Sequence, residues 1–209
     1  GGVEALSFAR QRVADDHGEF RQLQQLRREL FQRAVDRPVK CAPQQQILGR
    51  IAGQRQFRGQ QDVGAGWLMD LDVKGKVVLD MGCGTGVLAI LANKMGAADV
   101  KGIDNDEWAW RNARENFMNN HIDPEKVFPG DATLIGEERF DVILANINRN
   151  ILLQDMNAYA KGLKAGGLLL LSGFYEKDIR DITGAAAGNG LKYSGSNSLN
   201  DWSVLLFYK

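Results

Sequence analysis

Residues 77 to 86 read Val77-Val78-Leu79-Asp80-Met81-Gly82-Cys83-Gly84-Thr85-Gly86. A short apolar run that ends in an acid and passes into glycine at alternate positions has the pattern of a buried parallel strand giving way to a tight turn. Downstream, Val87, Leu88, Ile90, Leu91 and Met95 fall on one helical stripe that Gly96 closes, so a helix is expected over residues 86 to 96. Gly82, Gly84 and Gly86 let the chain turn sharply and let a ligand approach the backbone, while the helix behind them offers free N–H groups. A glycine loop alone is a weak signal, but an apolar strand before it and a helical stripe after it make this one stronger. Its spacing argues against two rivals. The loop lacks the Lys-Ser/Thr pair of a nucleotide-triphosphate loop, and it runs Gly-x-Gly-x-Gly where the dinucleotide fingerprint needs Gly-x-Gly-x-x-Gly. Asp80 at its entrance would oppose a pyrophosphate but meet a cationic ligand.

Outward from this loop the same alternation continues. Residues 100 to 103 form a second short strand stopping at Asp104, and a helix follows from about Asp106 to Asn120 with acids at its start. A weak strand is expected at 126 to 128, a strong one at 140 to 145, a helix over 151 to 163 and another apolar strand at 167 to 172. Residues 179 to 189 read as a helix weakened by Gly184 and Gly188. The chain then closes with a strand pair, 191 to 194 and 202 to 208, separated by a Ser/Asn-rich turn. This order predicts a doubly wound α/β fold: a mostly parallel seven-stranded sheet with helices on both faces and ligands at the carboxyl ends of the strands.

The candidate site residues stand at those ends. Asp104 lies where a carboxylate accepts both hydroxyls of a ribose on this fold. Asp131 follows Gly130 after the third strand and is placed to receive an adenine exocyclic amine, with the backbone N–H of Ala132 beside it. Asn146 ends the strongest strand, where an amide either orients an incoming amine through its carbonyl oxygen or binds the amino-acid end of a cofactor. Each has a plain structural alternative, a helix cap, a surface turn or a strand-closing side chain. Asn148 is a weaker second candidate. Cys83 reads as a space-filling residue, since no base stands near it in sequence. His121 reads as a cap or surface residue. Trp108 and Trp110 lie two apart in a helix and cannot share a face, so at most one of them borders a ligand.

Composition bounds the rest. The 209 residues hold 26 basic and 26 acidic side chains, so no overall field favours nucleic acid or anionic membrane, and direct nucleic-acid binding is not expected. Neither a signal peptide nor a membrane span is legible, which makes a cytoplasmic protein the expectation. Two cysteines and two histidines at no metal-ligand spacing point away from a metal site. The chain changes character near residue 66. Residues 1 to 66 carry ten arginines, one lysine and twelve glutamines, with 11 basic against 7 acidic side chains, whereas residues 67 to 209 carry 15 against 19. Two regions are therefore expected: an atypical Arg/Gln-rich segment over 1 to 66, with a helix at about 19 to 35 on Phe20, Leu23, Leu26, Leu30 and Ala34 and then a linker, and an α/β domain over 67 to 209.

Three stretches together resemble the class I methyltransferases, and more narrowly the bacterial ribosomal protein methyltransferase family PrmA. They are residues 79 to 90, Gly102-Ile103-Asp104-Asn105-Asp106, and Asp141-Val142-Ile143-Leu144-Ala145-Asn146-Ile147. The last discriminates best, because many amino-directed methyltransferases carry Asn-Pro-Pro-Tyr where this chain has Asn146-Ile147-Asn148-Arg149. The resemblance covers about residues 67 to 209. It implies S-adenosyl-L-methionine as cofactor and S-adenosyl-L-homocysteine as product, held by Asp80, Gly82, Cys83, Gly84, Gly86, Asp104, Asn105, Asp131, Ala132 and Asn146, with Asn146 as the catalytic residue. It implies transfer to lysine side-chain or N-terminal amines of a large-subunit ribosomal protein. Members of the family carry a substrate-recognition domain and a Gly-Thr-Gly-His segment ahead of this domain, and residues 1 to 66 show no such motif. The alternatives are a methyltransferase acting on RNA or a small molecule with the same cofactor site, and a cofactor-binding domain without turnover.

Overall fold

The structure, a computed structural model, describes residues 60–209. The helix expected at 19 to 35 and the linker after it, to residue 59, lie outside the described residues. The described chain runs α1 (Gln60–Asp70), β1 (Val77–Met81), α2 (Val87–Lys94), β2 (Asp99–Asp104), α3 (Glu107–Asn119), β3 (Val127–Pro129), β4 (Phe140–Asn146), α4 (Arg149–Gly162), β5 (Leu163–Tyr175), α5 (Ile179–Gly188), β6 (Lys192–Leu199) and β7 (Trp202–Tyr208). Short 3-10 turns occupy Pro124–Lys126, Ala132–Ile135 and Glu176–Asp178.

The strands form one seven-stranded sheet in the order β3-β2-β1-β4-β5-β7-β6. The first five are parallel, and β7 pairs antiparallel with both β5 and β6. The expected doubly wound architecture is therefore the observed one. Chain order reverses between β1, which leads outward to β2 and β3, and β4, which leads the other way. Connections leave that point on opposite faces and open a crevice at the carboxyl ends of β1 and β4, where ligands of this fold class sit.

Successive side chains along the central strands alternate between two apolar layers. Val78, Val142 and Leu144 pack with Leu68 of α1, Leu91 of α2 and Phe117 of α3, whereas Leu79, Ile143 and Ala145 pack with Leu152 and Tyr159 of α4 and Ile182 of α5. Both faces are buried, which is why β1 and β4 read as continuous apolar runs.

The structure departs from the sequence reading in four places. Residues 60–66, read as linker, form most of the first two turns of α1, which crosses the expected boundary between 66 and 67. Two glycines in this stretch weaken intrinsic helix propensity, but Ala65, Leu68 and Met69 are buried in the core, and that packing outweighs it. The helix expected over 151 to 163 starts earlier, at Arg149, because the Asn148 side chain caps it by accepting from the N–H of Asn150 (3.1 Å) and Ile151 (3.3 Å). The strand expected at 167 to 172 runs from Leu163 to Tyr175. Finally, the Ser/Asn-rich stretch before residue 200 belongs to strand β6, not to a turn. It is an exposed edge strand whose polar side chains face solvent, so it carries no apolar alternation to read.

The true turn is Asn200-Asp201, flanked by the pair Leu199↔Trp202, with φ of 52° at Asn200 and 68° at Asp201. Two left-handed central residues suit the right-handed twist of the hairpin but strain a side chain at each. Asp201→Gly is expected to raise unfolding free energy by about 0.5–1 kcal/mol in chemical denaturation, since glycine adopts this conformation without the Cβ penalty; an unchanged or lower midpoint would contradict the strain.

Candidate functional site

At the carboxyl end of β1 the chain passes through three left-handed glycines, with φ of 61° at Gly82, 55° at Gly84 and 77° at Gly86. They serve different purposes. A Cβ on Gly82 would lie 2.2 Å from Cγ2 of Ile147, so the loop after β1 is pressed against the loop after β4. A Cβ on Gly86 would lie 2.9 Å from the Phe117 ring, so the start of α2 is pressed against α3. A Cβ on Gly84 would meet nothing within 4 Å. The backbone at Gly84 therefore borders open space, as a surface that receives a ligand requires.

Two carboxylates hold this loop. Asp80 is 1% exposed, and its Oδ2 accepts from the N–H of Ala89 in the first turn of α2 at 3.0 Å. Asp104, at the end of β2, accepts from the N–H of Gly84 through Oδ2 at 2.8 Å and from the N–H of Asp106 through Oδ1 at 2.9 Å. A carboxylate has about four acceptor positions, so Asp104 keeps one on each oxygen for a ligand hydroxyl. Asn105 is exposed beside it. Loss of hydration on burial pushes the Asp80 carboxyl up to about 7; the Ala89 hydrogen bond opposes this, and the nearby Asp104 charge reinforces it.

Cys83 is buried, with its sulfur packed under β2, 3.0 Å from where a Cβ on Gly102 would stand. Burial, with the charges of Asp80 and Asp104, pushes its thiol well up, so the sulfur fills space and is no nucleophile. Asp131 caps the 3-10 turn Ala132–Ile135: Oδ1 accepts from the Thr133 hydroxyl at 2.6 Å and from the Thr133 N–H at 2.9 Å, and these two bonds lower its carboxyl pKa. Asp131 thus caps a short turn, where the sequence offered a surface turn as the alternative to a ligand role, and the cap fixes the carboxylate at the end of β3. Gly130 ties that end back to β2 by donating to the Asp104 carbonyl at 2.9 Å. Leu134 covers Gly130 closely enough that a Cβ there would meet Cδ1 at 2.5 Å.

Asn146 ends β4 in register with Ser172 of β5, and the Ser172 hydroxyl donates to its Oδ1 at 3.1 Å. Asn148 is the α4 cap, which accounts for it without any ligand. Arg149 next to it pairs with Asp178 (3.6 Å) and Asp181, tying the start of α4 to the start of α5. His121 stands exposed at φ 62° just past α3. Of the tryptophans, Trp108 is exposed and Trp110 packs on the core.

Three residues around the site were not legible in the sequence. Ile147 presses on Gly82, Ser172 holds Asn146, and Asn116, buried on α3, donates to the Thr85 carbonyl at 2.9 Å and so braces the glycine loop. Asn116 left a faint trace, since it falls on the stripe of Ala109 and Ala113, where an apolar residue belongs.

A reversed strand order at β1/β4, a left-handed glycine loop after β1 and acids ending β1 and β2 define the class I methyltransferase fold. The chain belongs to the ribosomal protein L11 methyltransferase (PrmA) family, whose sequence pattern matches residues 63–209. It is 53% identical over 142 residues to the ribosomal protein L11 methyltransferase of Porphyromonas gingivalis, a match covering 68% of this chain and 49% of that one. Against the Bacteroides thetaiotaomicron protein of the same name it is 48% identical over 143 residues, covering 68% and 51%. The chain thus spans about half the length of these relatives. Among solved structures, the ribosomal protein L11 methylase of Lactobacillus delbrueckii superposes with a TM-score of 0.67 at 27% identity, covering 71% of this chain and 77% of that one. Fibrillarin from Aeropyrum pernix, solved with natively bound S-adenosyl-L-methionine, shares the fold at a TM-score of 0.55 and 17% identity, covering 66% and 68%.

The raised Asp80 carboxyl makes a signed prediction. A group whose pKa is higher folded than unfolded favours the native state when protonated, so its contribution is full below about pH 4 and is lost as pH rises to about 7. Asp80→Asn cannot ionise. Its melting temperature is expected to match the parent near pH 4 and exceed it by at least about 3 °C at pH 8, measured by calorimetry; a gap that does not widen with pH would contradict the buried charge.

Proposed function

We propose that this chain binds S-adenosyl-L-methionine across the carboxyl ends of β1, β2 and β3 and directs methyl transfer to amines of ribosomal protein L11. The observation that carries the cofactor assignment is the pairing of an open Gly84 backbone with the Asp104 carboxylate hydrogen-bonded to it. The residues fit the cofactor chemically. Gly84 leaves room for its methionine part, Asp104 has acceptor capacity for its ribose hydroxyls, and two carboxyl groups at the loop, Asp80 and Asp104, suit a ligand that carries positive charge on sulfur and nitrogen, which would favour the ionised form of Asp80. The L11 assignment rests on family membership and on the names of the relatives.

Bound there, S-adenosyl-L-methionine supplies a methyl carbon activated by an adjacent sulfonium. The chain's own residues hold and orient. The glycine loop from Gly82 to Gly86 cradles the methionine end, with Asp80 and Cys83 beneath it setting its shape. Asp104 accepts from the ribose, with Asn105 at its edge. The Asp131 carboxylate would accept from the adenine amine, and the Ala132 N–H would donate to the ring. Asn146 accepts an N–H of the incoming neutral amine, which leaves the nitrogen lone pair aimed at the methyl carbon. Transfer there would form the N–C bond as the S–C bond breaks, would release S-adenosyl-L-homocysteine, and would pass the amine's extra proton to solvent. Alignment and exclusion of water supply the catalysis, so neither a strong base nor a metal is needed. Among the described residues no helix is long and apolar enough to cross a membrane, and action on a ribosomal protein supports a cytoplasmic location.

Two variants separate binding from transfer. Asp104→Ala is expected to weaken S-adenosyl-L-methionine binding by about 10- to 100-fold in calorimetry, from loss of charge-assisted hydrogen bonds. Asn146→Ala is expected to weaken cofactor binding by no more than a few-fold, far less than Asp104→Ala, and to lower kcat for labelled methyl transfer to L11 on the order of 100-fold through lost orientation. Transfer to ribosomal RNA and not to L11, or normal cofactor binding by Asp104→Ala, would overturn the assignment.

A further inference from the structure

We propose that Ser172 is a positioning residue that holds the Asn146 amide, its oxygen on the Ser172 hydroxyl, beside the place of the incoming amine, and that Gly64 of α1 keeps Ser172 in the rotamer that does so. The proposal rests on the function just assigned to Asn146. An amide side chain has an accepting end and a donating end of nearly equal size, and rotation by a half-turn exchanges them. Only one end serves a nucleophile. An amine must keep its lone pair for the methyl carbon, so the residue beside it has to accept an N–H. The donating end would instead hydrogen-bond the lone pair and suppress attack.

The structure shows what holds the amide in place. Asn146 and Ser172 are directly paired across β4 and β5, and the Ile147 N–H donates to the Ser172 carbonyl at 3.1 Å, so the two backbones are locked where the side chains meet. The Ser172 hydroxyl donates to Asn146 Oδ1 at 3.1 Å. That bond occupies one lone pair of the amide oxygen and leaves the other for a substrate N–H. Ser172 is 2% exposed, so bulk water does not compete for its hydroxyl. Gly64 closes the remaining side: a Cβ there would lie 2.6 Å from Ser172 Oγ. Helix α1 thus passes over the hydroxyl at a distance that only glycine permits, and an alanine at 64, which favours a helix intrinsically, would push the hydroxyl off its partner.

Ser172→Ala and Gly64→Ala, singly and together, test this in the full chain. Each single variant is expected to lower kcat for methyl transfer to L11 by about tenfold, less than loss of Asn146 itself, with KM for L11 and S-adenosyl-L-methionine affinity by calorimetry within about twofold of the parent. In the Ser172→Ala background, Gly64→Ala is expected to cost nothing further, because it acts only through the hydroxyl. A second readout is independent of turnover. With S-adenosyl-L-homocysteine bound, the ¹⁵N-labelled Asn146 side chain should give one sharp amide pair in the parent and an exchange-broadened or doubled pair in both single variants. Additive kcat losses, unchanged kcat, or a single sharp pair in Ser172→Ala would each overturn the positioning role. If the parent transfers no methyl to L11, the functional assignment fails, and the Asn146 amide signals still decide whether Ser172 orients it.

Discussion

The hydrogen bond from the Gly84 N–H to the Asp104 carboxylate joins the loop after β1 to the end of β2, and the site is built around it. It forms only if three conditions hold together. Gly84 must adopt a left-handed conformation, β1 and β2 must pair so that Met81 lies opposite Ile103, and Asp104, nearly buried, must turn its carboxyl back toward the loop. Parallel pairing brings strand ends to a common edge, and the crossover helices carry the chain away from that edge, leaving it open for a ligand. Asp80 works from below on the same loop, linking β1 to the first turn of α2.

Stability and function pull against each other here. A carboxylate 1% exposed, with one backbone hydrogen bond and a second carboxylate nearby, is an expensive group to keep ionised. Apolar packing on both faces of the sheet supports it: Leu79, next to Asp80 in β1, is wholly buried, as are Ile143 and Leu144 of β4. A cationic ligand would relieve the repulsion between the two acids, so the same pair that costs stability in the free protein would contribute affinity when a ligand binds.

On the other side of the crevice the order comes from side chains, not glycines. Asn146 and Ser172 face each other across β4 and β5, Ile147 reaches over Gly82, and Asn148 starts α4. A single short segment, residues 146 to 148, therefore places an amide at the site, closes the glycine loop and launches the next helix. Helix α1 seals this side through Gly64. Its position makes α1 part of the architecture of the site, although its first residues, 60–66, read as the tail of a linker.

Most of the sheet was legible because its determinants are local. Continuous apolar runs at β1 and β4, a stripe at α2, and glycines or acids at the ends report burial on both faces, and each spans fewer than a dozen residues. The strand-end acids Asp80 and Asp104 and the amide Asn146 were legible for the same reason: a polar residue that closes an apolar strand stands at the open edge of the sheet. What escaped depends on contacts between distant segments. Gly64 and Ser172 lie 108 positions apart, and neither carries a local mark of the other. Helix α1 owes its existence to a surface made by β5 and β7, and edge strand β6 is held by hydrogen bonds to β7 that any side chains permit. The sequence by itself determined which residues end the strands and what chemistry they bring. Only the tertiary structure decided which of them touch and which way they point, because hydrogen bonds across a parallel sheet join residues that the chain keeps far apart.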